Sequence, residues 1–145
     1  DEILSLMEPK LFHVGHDEIT IANNFPKREA SKKYSVTELI DMDLDRLFSY
    51  FSGKGIGLAL WGDMFLADGE FTDANNADNP RQAKERRRNL KRLWKKHDIP
   101  ELIIYDWHYA SAEPEQFLSV DLWKRGRIEL SVYDHRAQRR GRGRS

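Results

Sequence analysis

The segment His13-Val14-Gly15-His16-Asp17-Glu18 places two imidazoles and two carboxylates within six residues, at the end of a short apolar run from Leu11 to Val14. Adjacent carboxylates disfavour each other's ionisation. One can therefore remain a protonated acid near neutral pH while its neighbour stays an anion, the division of labour that acid-base chemistry requires. Gly15, just before the pair, lets the backbone turn sharply out of a strand or lets a ligand approach closely. Two other readings fit the same residues. Asp-Glu after a strand is also a common charge pair at a helix N-terminus, and clustered imidazoles and carboxylates suit zinc or iron. The metal reading is the weaker of the two, because ligand pairs on one face need a helix and this segment reads as a strand end. No metal or cofactor is expected.

Two further apolar runs end in residues of the same kind. Ile56 to Trp61 leads into Gly62-Asp63, and Glu101 to Tyr105 leads into Asp106-Trp107-His108-Tyr109. In parallel barrels the reactive groups sit at the carboxyl ends of the strands, so this coincidence is what a site assembled from several strand ends produces. Trp61 and Trp107 offer flat apolar walls for the C–H face of a sugar ring, and each can equally be a core residue. Trp94 and Trp123 fall in helical patterns, where the core reading is the better one.

The elements that must position these groups are legible from periodicity. Asp1 to Met7 reads as the end of a helix, stopped by Pro9. Ser35-Val36-Thr37-Glu38 is a capping box, with Tyr34 and Leu39 spaced to staple it, and the apolar positions that follow predict a helix over 36–51. Gly53-Lys54-Gly55 ends that helix, and the run 56–61 is short enough for a strand buried on both faces. Residues 68–80 are polar and turn-rich, a long loop. Residues 81–97 carry nine Lys or Arg and one Glu around a narrow stripe of Ala83, Leu90, Leu93 and Trp94. That pattern reads as the solvated face of a helix in preference to a nucleic-acid patch. A third strand is predicted over 101–105, a short helix from Glu113-Pro114 to about Lys124, and a fourth strand over 128–133. Alternation of apolar strands with helices is the signature of an α/β fold with a parallel sheet. A complete (β/α)8 TIM barrel takes about 250 residues, so on that reading the chain supplies a partial barrel, roughly its middle strands and helices. The alternative is a smaller open α/β sheet.

Composition narrows the function classes. With 145 residues and 39% hydrophobic content the chain suits one globular domain. Formal charge is zero, yet five arginines fall among residues 136–145 with no acid, leaving 19 basic and 24 acidic residues in 1–135. The expected division is a barrel domain over 1–135 and a basic, disordered tail over 136–145. There are no cysteines, which excludes thiolate catalysis, cysteine zinc sites and disulfides. No apolar run reaches the roughly 18 residues that span a bilayer, and no signal-peptide pattern opens the chain, so no membrane partner is expected. Nothing in the residues designates a compartment.

Phe12-His13-Val14-Gly15-His16-Asp17-Glu18 resembles the His-x-Gly-Gly-Asp-Glu signature of family 20 glycoside hydrolases, the β-N-acetylhexosaminidases. The likeness covers about residues 1–125 and extends to order, with Trp61 and then Asp106-Trp107-His108-Tyr109 after successive strands. It implies hydrolysis of terminal N-acetylhexosamine with retention, in which the substrate's own acetamido oxygen is the nucleophile. Glu18 would be the general acid and base, and Asp17 would orient the acetamido group. Tyr109 would donate to the acetamido oxygen, Trp61 and Trp107 would form the walls, His13 and Asp63 would be supporting polar groups, and Asp106 would be among the substrate-binding residues. His16 stands where the family has its second glycine, and there its side chain can add a hydrogen bond to substrate or mark a divergent subfamily. The family's sugar-gripping arginine belongs to an earlier strand, and beyond Lys124 no family pattern is seen. The resemblance therefore implies a carbohydrate substrate and an isolated piece that is poorly active, needing the remaining barrel strands or self-association. Two other functions stay open: a non-catalytic carbohydrate-binding barrel, and a nucleic-acid-binding module using the basic helix 81–97 and the tail.

Overall fold

The computed structural model describes residues 2–19, 25–67, 70, 79–108 and 129–134. Within them the chain forms α1 (Glu2–Met7), β1 (Leu11–His13), α2 (Val36–Phe51), β2 (Gly57–Trp61), α3 (Pro80–Lys96), β3 (Leu102–His108) and β4 (Glu129–Asp134), with 3-10 turns at Glu29–Ser31 and Asp63–Phe65. The four strands make one sheet in the order β1-β2-β3-β4, and every neighbouring pair is parallel. This is an α/β fold with a parallel sheet. The expected helix over 113–124, the tail over 136–145 and most of the loop over 68–80 lie outside the described residues.

Helix α2 begins where its capping box puts it. Ser35 Oγ accepts the Glu38 N–H at 3.2 Å, and the Glu38 carboxylate accepts the Ser35 N–H at 2.7 Å, so two amides that the first turn leaves without helical partners are satisfied. Its buried apolar residues, Ile40, Leu44, Phe48 and Phe51, recur every three or four positions and form one stripe. Helix α3 starts at Asn79, whose side chain accepts the Gln82 N–H at 3.0 Å, with Pro80 in the first turn where no amide is needed.

Both stripes pack against one face of the sheet. Leu58 and Leu60 of β2 and Leu102 and Ile104 of β3 alternate onto that face and join Leu44, Phe48, Leu90 and Leu93 in the main apolar cluster. Phe12 of β1 extends the contact, its ring centroid 5.2 Å from that of Phe51. Gly57 permits the close pairing at the start of β2, since a Cβ there would lie 3.1 Å from both Leu11 Cδ1 and Glu101 Cβ.

Two boundaries differ from the sequence expectation. The β1 ladder continues past His13, because the Val14 N–H donates to Ala59 O at 2.8 Å and Gly15 O accepts from Trp61 N at 3.0 Å. Strand β3 runs through His108, so Asp106, Trp107 and His108 lie within the strand, opposite Val132, Tyr133 and Asp134 of β4, and do not follow it. The apolar run stops at Tyr105, but pairing with β4 carries the extended conformation three residues further.

Replacing Leu44 by Ala removes buried volume at the centre of this cluster and is expected to cost about 2–5 kcal/mol, whereas Ser49→Ala on the exposed face of the same helix stays within about 0.5 kcal/mol. Urea denaturation of the two variants measures the difference.

Candidate functional site

Where β1 ends, the chain enters a tight left-handed turn. Gly15, His16 and Glu18 have φ of 76°, 74° and 48°. Only glycine adopts such values without strain, and each non-glycine residue there costs about 1–2 kcal/mol. Hydrogen bonds from both sides offset that strain. The Glu18 N–H donates to Asp63 Oδ2 at 2.9 Å, and Asp63, in the 3-10 turn after β2, is 1% exposed. The imidazole of His16 bonds Val14 O through Nδ1 at 3.0 Å and meets Asp43 Oδ2 of α2 through Nε2 at 3.1 Å. The carboxylates of Asp17 and Glu18 are thereby presented on an exposed turn whose backbone is tied to β2 and whose flank is tied to α2.

Beside the turn lies the sheet face opposite α2 and α3. His13, Trp61 and Tyr105 meet there, with ring centroids 5.0 Å apart for His13 and Trp61, 5.3 Å for His13 and Tyr105, and 5.7 Å for Trp61 and Tyr105. The parallel register aligns Trp61 with Tyr105 and His13 with Ala59, so the cluster follows from pairing. His13 Nδ1 accepts the Gly15 N–H at 3.1 Å, which fixes the neutral tautomer with its proton on Nε2. Burial holds the His13 pKa below its ordinary value of 6.5; the nearby Asp17 carboxylate opposes that shift, and His16 adds to it. Near neutral pH His13 is thus an uncharged donor at the edge of an aromatic surface.

The candidate residues therefore divide. His13 and Trp61 share one face of the sheet, and Asp17 and Glu18 lie in the turn at the carboxyl end of β1. Asp63 lies beneath the turn as its anchor, and His16 turns toward α2. Asp106 shares the alternation of Leu102 and Ile104, the face that the helices cover, and is fully buried. Trp107 is the β3 residue opposite Tyr133, and Tyr109 lies outside the described residues. Sequence reasoning did not single out Tyr105 or Asp43. Tyr105 was signalled only by its sharing the alternation of Ile103 in β3, and Asp43 by nothing local.

With His16 directed to Asp43 and His13 to the rings, the metal reading of this segment has no converging ligand set. Among the described residues no three His, Asp or Glu side chains group as a metal ion requires, and no described helix is long and apolar enough to cross a membrane. Part of the basic helix is engaged within the chain. Arg86 is 2% exposed, its Nε donating to Thr37 Oγ1 at 3.0 Å and a terminal nitrogen to Met64 O at 2.8 Å. Arg87 pairs with Glu70 at 2.7 Å, Arg92 holds both oxygens of Asp41, and Lys96 and His97 share Asp45. No family model, curated protein or solved structure matches the chain.

Because the folded pKa of His13 is depressed, the unfolded chain binds more protons in the window just below pH 6.5, and stability rises with pH through that window. His13→Phe keeps a ring beside Trp61 and Tyr105 but cannot titrate. Urea midpoints between pH 5 and 7 are expected to rise less steeply with pH in this variant than in the wild type.

Proposed function

We propose that the chain carries part of a (β/α)8 barrel that removes terminal N-acetylhexosamine from glycosides, with Glu18 as general acid and base and Asp17 orienting the substrate's acetamido group. The observation that carries this reading is the Glu18 N–H bond to buried Asp63, which ties the backbone of the Asp17–Glu18 turn at the carboxyl end of β1, the strand whose His13 meets Trp61 and Tyr105. Strand order lends support. The sheet runs β1-β2-β3-β4 in one direction with no reversal, and α2 and α3 cover the same face, as in a singly wound barrel and unlike a doubly wound sheet. The likeness of residues 12–18 to the family 20 signature supplies the choice of chemistry.

On this reading the acetamido oxygen attacks the anomeric carbon while Glu18 protonates the departing glycosidic oxygen. Asp17 stays anionic and stabilises the positive oxazolinium-like intermediate. Glu18, now a carboxylate, takes a proton from water as that water attacks the anomeric carbon, and the intermediate reopens with retained configuration. Trp61 and Trp107 are the proposed walls, Tyr109 the proposed donor to the acetamido oxygen, and His13 an uncharged polar contact.

A second reading, sugar binding without turnover, draws on the aromatic surface alone, since His13, Trp61 and Tyr105 can stack against a sugar ring without either carboxylate. Titration with N-acetylglucosamine that shows binding, alongside no hydrolysis, distinguishes it. Arg86, Arg87, Arg92 and Lys96, four of the nine basic residues of the helix, have partners within the chain, which reduces the charge the helix offers to a nucleic acid.

In a complete barrel carrying these residues, Glu18→Gln is expected to lower kcat on an aryl N-acetyl-β-glucosaminide by about 100- to 10,000-fold. Chromophore release within a few-fold of wild type would remove Glu18 from the role. The 145-residue chain by itself is expected to hydrolyse this substrate slowly and to self-associate through its strand edges, as read by light scattering.

A further inference from the structure

The cations of α3 divide by helix face. At about 3.6 residues per turn, Arg81, Lys84, Arg88, Lys91 and Lys95 fall within an arc of about 80°, on the side away from buried Ala83, Leu90 and Leu93. Arg86, Arg87, Arg92 and Lys96 lie outside that arc, and these are the ones paired with Thr37, Glu70, Asp41 and Asp45. Arg81, Lys84, Arg88 and Lys95 are exposed and form no hydrogen bond or ion pair with any described residue. Such a row is locally unfavourable. Its members are three or four residues apart, the spacing at which like charges on a helix repel. Arg81 also stands in the first turn, which holds no acid and where the helix dipole disfavours a cation. We propose that this face of α3 is a docking row for a single-chain acidic polysaccharide, sulfated or carboxylated, laid along the helix axis.

From Arg81 to Lys95 the row is about 21 Å long, with a cation about every 5 Å. A pyranose unit in an extended glycan advances by a similar distance, so acidic sugars present their charges in step with the row. Other polyanions fit less well. Duplex nucleic acid takes a helix into its major groove with phosphates on both flanks, and here the flank of Arg92 and Lys96 is turned to acids of α2. Single strands are held by aromatic side chains on which bases stack, and the arc contains none. An anionic membrane takes up a basic helix by its apolar face, and that face of α3 is buried in the core. A polysaccharide needs only charge along one line. The row also has a defined place: Arg86 and Arg87, in the first half of α3, bond Met64 O and Phe65 O just after β2. Arg81 therefore lies toward the carboxyl end of the strands, the end that carries the Asp17–Glu18 turn. The row makes no demand on either of those carboxylates.

The test is fluorescence anisotropy with a labelled chondroitin sulfate hexasaccharide. It uses the 145-residue chain with Arg136, Arg139, Arg140, Arg142 and Arg144 changed to Gln, so that the basic tail does not compete with the helix. Changing Arg81, Lys84, Arg88 and Lys95 to Gln together is expected to weaken binding about tenfold or more at about 50 mM salt, and to flatten its decline toward about 200 mM. Gln is as good a helix former as Lys or Arg. With the repulsion gone, the urea midpoint of the fourfold variant is expected to rise at low salt. A lower midpoint would mean that these cations serve contacts within the chain, and would overturn the docking row, as would an unchanged affinity. Tighter binding of DNA of matched charge, single-stranded or duplex, or of phosphatidylserine vesicles would give the row a different partner and overturn it too. Because the readouts are binding and stability, each result stands apart from whether the chain hydrolyses a glycoside.

Discussion

Burial of one face of the sheet is the constraint on which the other features depend. Side chains alternate along every strand, so once Leu58, Leu60, Leu102 and Ile104 are pressed against α2 and α3, their neighbours Trp61, Ile103 and Tyr105 must face the other way. The same alternation carries Phe12 to the covered side, against Phe51, and His13 to the open side, against Trp61 and Tyr105. A one-residue slip in register would exchange the two sets, burying the imidazole and exposing the leucines. The aromatic surface is therefore a by-product of core formation, specified as firmly as the core itself.

The turn after β1 is held differently. Its left-handed residues work against local preference, and its conformation is maintained by partners far along the chain: Asp63 for the Glu18 amide and Asp43 for the His16 ring. A glycine at position 16 would need no such support. A histidine there brings the turn into contact with α2, its Nε2 lying 3.1 Å from the Asp43 carboxylate.

Helix α3 shows how composition can mislead about surface. Nine cations in seventeen residues read as a solvated face, yet Arg86 is in the core, between Thr37 and the carbonyl of Met64. A guanidinium tolerates such a position because its planar array of donors can satisfy several acceptors at once. Arg92 and Lys96 cross to Asp41 and Asp45 of α2, so part of the charge on one helix is balanced by the neighbour it packs against.

Much of this was determined by the sequence itself. The capping box at Ser35 and Glu38, the stripe of α2, the Asn79-Pro80 start of α3 and the apolar runs of the strands are properties of neighbours along the chain, and they set the element order and the parallel α/β class. The clustering of His13, His16, Asp17 and Glu18 was visible for the same reason. Tertiary structure alone decided that Tyr105 joins His13 and Trp61, that Asp106 lies on the covered face and Asp63 under the turn, that β3 reaches His108, and that His16 belongs to Asp43. Each depends on strand register or helix packing between residues distant in the chain, whereas periodicity and capping are governed by the residue's own turn of helix or length of strand.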